Sequence, residues 1–368
     1  MKIESMLFVY IVICISMIAF NIVYVFILRR NDRQLDRGCA QYDELIRRQL
    51  QRIESGLGVD EQHKKRLRRE LRHTAGLTAF DRGMEIIYAE DPGKADAYLL
   101  ELYPVFVYLA AHYHGRDTIK RAYFTYIIGK YKILRFQEEC EILDRMFELL
   151  HSDNVYCREN ALGAIYETKK PAYVVRALQI IDGNPCFHHP KLVCDGLLRF
   201  SGDRNELGSL LWESFEGFST GMQLNILNFM RFAGIRCDGR MLALLTDEKR
   251  DQELRFCAMR YFEKFFCPEA MEPLQDFADN KDGRPWEYQS IATSALKTYP
   301  DNRTAEILKK NLSNSNWYIR RNAAISCDAL GFSYSDLIQV FDGGDRYARE
   351  MLRYRFDRRE AEKEAAGT

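Results

Sequence analysis

Met6 to Leu28 is an unbroken run of 23 residues without a formal charge, in which Ser16 and Asn21 are the clearly polar members. A run this long constrains the chain before anything else does, because few water-soluble folds bury so much in one element. As a helix rising 1.5 Å per residue it reaches about 34 Å, enough to cross about 30 Å of hydrocarbon. A cleaved signal peptide has a shorter apolar core and closes on a small-x-small site; this run does neither. The expectation is a retained transmembrane helix over 6–28. Lys2 and Glu4 precede it, and Arg29, Arg30, Arg33 and Arg37 follow it. The positive-inside rule then makes 1–5 a short extracytoplasmic segment of a single-pass cell-membrane protein, with the rest cytosolic. The ten cysteines agree with this: none forms a CxxC pair, and Cys140, Cys157 and Cys257 sit within apolar helical patterns, as thiols kept reduced do.

Residues 29–59 are charged, with Leu35, Cys39, Tyr42, Ile46, Ile53 and Leu57 recurring at three- and four-residue spacing. That pattern predicts a juxtamembrane helical stalk with one sticky stripe. Gln49 interrupts the seam a parallel coiled coil would need, and Gly56 and Gly58 end the helix. His63 to His73 then reads HKKRLRRELRH, setting Lys64, Lys65, Arg66, Arg68, Arg69 and Arg72 against the one acid Glu70. Such a run is either a solvated helix face or a contact for anionic lipid or a partner, worth about 1 kcal/mol per basic residue near a charged membrane. It lacks interleaved aromatics, and the chain balances 53 basic against 53 acidic residues, so no nucleic-acid partner is expected.

Residues 60–137 are expected to supply the first helices of the globular part. Asp60 is placed to cap the first, and Asp91-Pro92-Gly93 to end it. Tyr98 to Ala111 is nearly all apolar, but it contains Glu101 and Pro104 and is too short for a second span, which predicts a buried core helix. Ile119, Ala122, Tyr123, Tyr126, Ile127 and Leu134 share one helical face.

From about 138 to 358 the chain repeats itself. Asp153, Cys157, Arg158 and Ala161 form one block, and Asn316, Trp317, Ile319, Arg320 and Ala323 form another; Asp251 with Arg255 and Asp345 with Arg349 are shorter copies. Arg158 and Arg255 lie 97 positions apart, Arg255 and Arg320 lie 65 apart, and Arg320 and Arg349 lie 29 apart, a period near 30 that fits one helical hairpin. No arginine fills the slot between 172 and 236. These blocks resemble the HEAT repeat, whose second helix opens on an Asp-x-x-Val-Arg-x-x-Ala-like signature. The resemblance implies an all-α, armadillo-like solenoid of stacked hairpins that acts as a scaffold for another protein. Some HEAT-like proteins are DNA glycosylases or bilin lyases, but the likeness here is to the repeat and not to their active sites.

Candidate chemistry is sparse. Cys186, His188, His189 and Cys194 cluster without a standard zinc spacing. His112 and His114, two apart on a helix, do not share a face. No phosphate loop, GxGxxG, GxSxG or HExxH occurs. The expectation is therefore no catalytic residue, no metal, no cofactor and no enzymatic activity. Trp212, Trp286 and Trp317 are expected to pack between repeats. Arg346 to Arg359, rich in arginine and tyrosine, reads as a polar capping helix or a contact for an acidic partner, and 359–368 as a frayed tail. The function expected is a membrane-anchored scaffold that binds a protein at the cytosolic face. A lipid-contacting domain working through 63–73 is the alternative, with a HEAT-like enzyme or nucleic-acid module behind it.

Overall fold

A computed structural model describes residues 3–137 and 140–366; of the expected segments, residues 1–2, 138–139 and 367–368 lie outside it, as do the side chains of 3–7, 9, 31 and 359–366. The described residues are helical and contain no strand. They form two compact units, one running to Phe187 with Phe200–Gly202 added, the other made of His188–Arg199 and everything from Asp203 on.

The first unit holds α1 (Ile3–Glu54), α2 (Glu61–Glu70), α3 (Thr74–Glu90), α4 (Pro92–Glu101), α5 (Tyr103–His114), α6 (Thr118–Lys130), α7 (Glu141–Leu149), α8 (Val155–Tyr166) and α9 (Pro171–Gly183). Helix α1 does not break after the apolar run. It continues as one element, and its second half buries Tyr42, Ile46, Gln49 and Leu50. The stripe read as a stalk is therefore part of the domain core, a correction to the expected boundary at 59. The neighbour it packs on is α3, which runs parallel to it. Two glycines permit the close approach: a Cβ on Gly38 would lie 2.9 Å from Ala79 Cβ, and one on Gly83 would lie 3.0 Å from Tyr42 Cβ. Further along, Arg47 reaches the Glu90 carboxylate with both Nη atoms, at 2.7 and 2.8 Å.

Gln49, expected to spoil the stripe, has a structural task. After the positive-φ residues Gly56 and Gly58 turn the chain, its Oε1 accepts from Asp60 N at 2.9 Å and fixes the start of α2. Asp60 makes no side-chain cap of its own. Asp91 does, accepting from Gly93 N and Lys94 N, so the Asp-Pro-Gly element opens α4 as well as closing α3. The apolar stretch 98–111, expected as one core helix, is two. Pro104 has no N–H to donate and its ring clashes with the carbonyl four residues back, so the helix breaks at Leu102 and restarts as α5 with Pro104 in its first turn.

The second unit holds α10 (Pro190–Arg199), α11 (Arg204–Glu213), α12 (Thr220–Ala233), α13 (Asp238–Thr246), α14 (Gln252–Lys264), α15 (Met271–Asp279), α16 (Trp286–Ala295), α17 (Asn302–Leu312), α18 (Trp317–Ala329), the short α19 (Ile338–Phe341) and α20 (Arg346–Ala366). Helices α11 and α12, α13 and α14, α15 and α16, and α17 and α18 pack as consecutive pairs, while α10, α12, α14, α16, α18 and α20 each touch the next in that series. The result is a row of helical hairpins with one layer of second helices. Neighbouring hairpins are joined through a buried polar line: Gln289 Nε2 donates to Asn311 Oδ1, and Asn311 Nδ2 donates to Ala278 O and Thr293 Oγ1, each at 2.9 Å. All ten cysteines are unpaired, and Cys157, Cys257, Cys267 and Cys327 are buried.

Ile46 is fully buried in the α1 packing face, whereas Leu57, eleven residues on, is exposed. Ile46→Ala is expected to lower the unfolding free energy by about 2–4 kcal/mol, and Leu57→Ala to change it by less than about 0.5 kcal/mol. Denaturant titration of the full chain in detergent checks both. Equal effects would return α1 to the status of a stalk.

Candidate interaction surfaces

The repeat signature resolves into one local device. A side-chain oxygen caps the second helix of a hairpin, and the residue four positions on reaches back to carbonyls that precede the helix. Asn154 caps α8, accepting from Tyr156 N at 2.9 Å and Cys157 N at 3.2 Å, and Arg158 Nη1 donates to Ser152 O at 2.7 Å and Asp153 O at 3.0 Å. Asp153 is thus an acceptor through its main chain and not the cap, which corrects the expected alignment by one residue. Arg158 Nη2 also donates to Phe187 O at 2.6 Å, and the side chain is almost wholly buried.

Asn316 caps α18 in the same way, and Arg320 Nη1 donates to Asn314 O at 2.8 Å. Asp345 caps α20, and Arg349 Nη1 donates to Gly343 O at 2.6 Å. In α14, capped by Asp251, Arg255 donates from Nε to Leu245 O at 3.2 Å, and its guanidinium lies 5.0 Å from the Phe277 ring centroid and 5.2 Å from that of Tyr288. The stretch without an arginine uses glutamine instead: Ser219 caps α12, and Gln223 Nε2 donates to Phe215 O at 2.9 Å. Ala161 and Ala323 are fully buried.

Arg158 is a cation whose three hydrogen bonds all end on carbonyls, so removing it strands those acceptors. Arg158→Ala is expected to cost about 3 kcal/mol, and Arg158→Lys most of that, since an ammonium cannot reproduce the guanidinium fork. Arg320→Ala, in a more open turn, is expected to cost about 1 kcal/mol. Thermal unfolding of the three variants gives this order, and a fully rescuing lysine would contradict the role.

The basic run divides in two. His63, Leu67 and Leu71 face the core. His63 Nε2 lies 2.8 Å from Tyr98 Oη, and burial, reinforced by Arg66, pushes its pKa down to about 4, so at neutral pH it is an uncharged core residue. Lys64 pairs with Glu61 at 3.0 Å and Glu101 at 3.5 Å, Arg66 pairs with Glu70 at 2.8 Å, and Arg68 is half-buried. Lys65 and Arg69, four apart on α2, share an exposed face, and Arg72 is exposed in the turn that follows the helix. Because α3 runs parallel to α1, the turn before it is carried back along α1: Tyr42 Oη donates to Glu70 Oε2 at 3.1 Å, and His73 and Thr74 line a cavity of about 780 Å³ with Gln34 and Arg37. Arg33, Arg37, Arg72 and His73 are exposed at that end of the unit.

The tryptophans differ. Trp212 stacks on Phe215 at 4.6 Å, and Trp286, itself 43% exposed, stacks on Tyr318 of a neighbouring hairpin at 5.5 Å. Trp317 is half-exposed, which corrects its expected packing role. It forms one wall of a cavity of about 480 Å³ between α18 and α20. Arg320 stands 5.4 Å from the Tyr347 ring centroid in that groove, and Arg321 stands 5.8 Å from that of Trp317.

His112 accepts from Arg116 Nε at 3.3 Å, and His114 lies 3.6 Å from Glu148, so the two histidines serve different neighbours. Asn184 Oδ1 accepts from Cys186 N, and His189 Nδ1 accepts from Lys191 N, both as turn-forming bonds. Among the described residues no group of three His, Cys, Asp or Glu side chains is placed to hold a metal ion.

No family model matches the chain, and no curated protein matches it. Among solved structures it is similar to human deoxyhypusine hydroxylase in complex with glycerol, at 14% identity and a TM-score of 0.28 over 81% of this chain and 96% of that one. It is also similar to an engineered protein, at 13% identity and a TM-score of 0.33 over 89% of this chain and 95% of that one. Likeness this low assigns the chain neither a family nor an activity. The expectation that the chain is not an enzyme does not stand: it had rested on missing motifs alone, and one of the similar structures is a hydroxylase.

Proposed function

We propose that the chain is a membrane-anchored, HEAT-type helical scaffold, with the segment before residue 6 outside and the two helical units at the cytosolic face, where they hold a protein partner. The observation that supports this most is α1. Among the described residues it is the one helix long and apolar enough to cross a bilayer, and none of them covers its apolar part. Phe8, Ile15, Phe20 and Phe26 all stand exposed on it, an arrangement that water does not tolerate and lipid does. The same helix then enters the core of the first unit, so anchor and domain are one rod. From Leu28 to the buried Tyr42 is about 21 Å at 1.5 Å per residue. The HEAT reading is supported by the recurring cap and back-bonded arginine. The cytosolic orientation is supported by Arg29, Arg30, Arg33 and Arg37.

In sealed right-side-out vesicles the full chain is expected to stay with the membrane through alkaline extraction and to keep its helical units intact against external protease. Removal of 1–30 is expected to release it. Recovery of the full chain in the alkaline supernatant sinks the anchor, and external cleavage of the units reverses the orientation.

A second reading, contact with anionic lipid, is favoured by the exposed Lys65, Arg69 and Arg72 and by the return of Arg72 and His73 to the level of Gln34 and Arg37. In nanodiscs of mixed phosphatidylglycerol and phosphatidylcholine, the full chain is expected to retain an annulus enriched in the anionic lipid. Lys65→Glu, Arg69→Glu and Arg72→Glu together are expected to remove that enrichment. Unchanged enrichment in the triple variant ends the lipid reading and leaves the anchor untouched.

A further inference from the structure

The α18–α20 groove carries exposed aromatic and cationic surface. Helix α20 exposes Tyr347 and Tyr354, each about two-thirds accessible, across from the half-exposed Trp317. Arg321, Arg355 and Arg358 line the same groove. Arg355 is anchored from below, its Nε donating to Asp328 Oδ2 at 2.8 Å. Arg321 makes no ion pair among the described residues and stands beside the Trp317 ring. The acid in the lining, Glu350, is bound to Arg346 at 2.6 Å. The groove therefore presents rigid rings and forked cations, with its carboxylate already neutralised.

We propose that this groove is the partner-binding site of the scaffold and that it takes an acidic peptide segment bearing an aromatic side chain. The proposal rests on the partner-binding reading above and names its site and the chemistry of its ligand. A cavity of about 480 Å³ accommodates one large ring with its flanking backbone, not a length of polymer. Trp317, Tyr347 and Tyr354 supply stacking faces for that ring, and tyrosine and tryptophan give much contact area at little conformational cost. A carboxylate beside the ring meets Arg321, whose planar guanidinium matches a carboxylate in a two-pronged bond. A single-stranded nucleic acid needs cations continued along a track together with successive ring platforms. Here the cations are gathered around one cavity, with Glu350 in its wall, which favours the peptide.

The test uses the full chain in detergent micelles, so that it does not depend on the anchor, and follows Trp317 by fluorescence in a background where Trp212 and Trp286 are replaced by Phe. The probes are a 12-residue peptide of alternating Glu and Asp with one central Phe, the same peptide with Lys for each acid, the acidic peptide with Ala for Phe, and a 12-nucleotide oligothymidine. The acidic aromatic peptide is expected to bind at least tenfold more tightly than each of the other three. Arg321→Glu is expected to weaken it by at least tenfold, and Tyr354→Ala by about fivefold, with thermal unfolding unchanged. Equal binding of the acidic and lysine peptides, or of the peptides with and without Phe, overturns the proposal. So does unaltered affinity in the folded variants, and tighter binding of oligothymidine overturns it in favour of a nucleic-acid site. Because the measurement is made without a bilayer, its failure leaves the anchor reading standing, and failure of the anchor leaves this result standing.

Discussion

The packing of α1 against α3 is the contact on which the rest of the first unit depends. Gly38 and Gly83 let two backbones run side by side, and Tyr42, Ile46 and Leu50 fill the seam they leave. Burying these three side chains contributes on the order of 5 kcal/mol or more before ordering costs, at about 1.5–3 kcal/mol each. The contact fixes the direction of α3. Through Gln49 it also governs the turn that carries the chain from α1 into α2. On the proposed anchor reading, the helix becomes a core element within about 21 Å of the apolar run and leaves no length for a flexible tether.

In the repeating region the matching element is the capped helix with a residue that bonds backward. Each hairpin leaves carbonyls unsatisfied where its first helix ends, and the next helix offers unsatisfied N–H groups where it begins. The cap side chain answers the second need and Arg158, Arg320 or Arg349 the first, so one short segment closes both ends of the turn. Arg255 shows that the same residue also builds contacts between hairpins, because it lies against both Phe277 and Tyr288. Where glutamine takes the position, as in Gln223, a neutral amide forms a single bond to the carbonyl of Phe215.

How much of this was readable in the chain depends on whether a feature is local. The capped arginines are, because Asp or Asn followed by Arg four places later is a pattern within one turn of helix, and they set the period correctly. Gln223 escaped because glutamine does the same work without announcing it. Asn154 was passed over for its neighbour Asp153, since either residue type caps a helix and only the geometry chooses. The stripe 35–57 was recognised as sticky, but periodicity says which face is buried and not what covers it, so a core element was taken for a stalk. Pro104 was visible, but its effect was underestimated against the strength of the apolar run. The α18–α20 groove was beyond reach: Trp317 and Tyr354 lie 37 positions apart, and what makes them one surface is the hairpin between them.

The most direct test of the account is whether α1 is one continuous helix shared by membrane and domain. Amide hydrogen exchange of the full chain in nanodiscs, resolved across residues 29–54, measures this. The account predicts slow exchange without interruption through 29–41, passing into the most protected amides around Tyr42, Ile46 and Leu50. Fast exchange over 29–41 with protection resuming only beyond it would mean a flexible linker, and would contradict the rigid rod on which the functional reading stands.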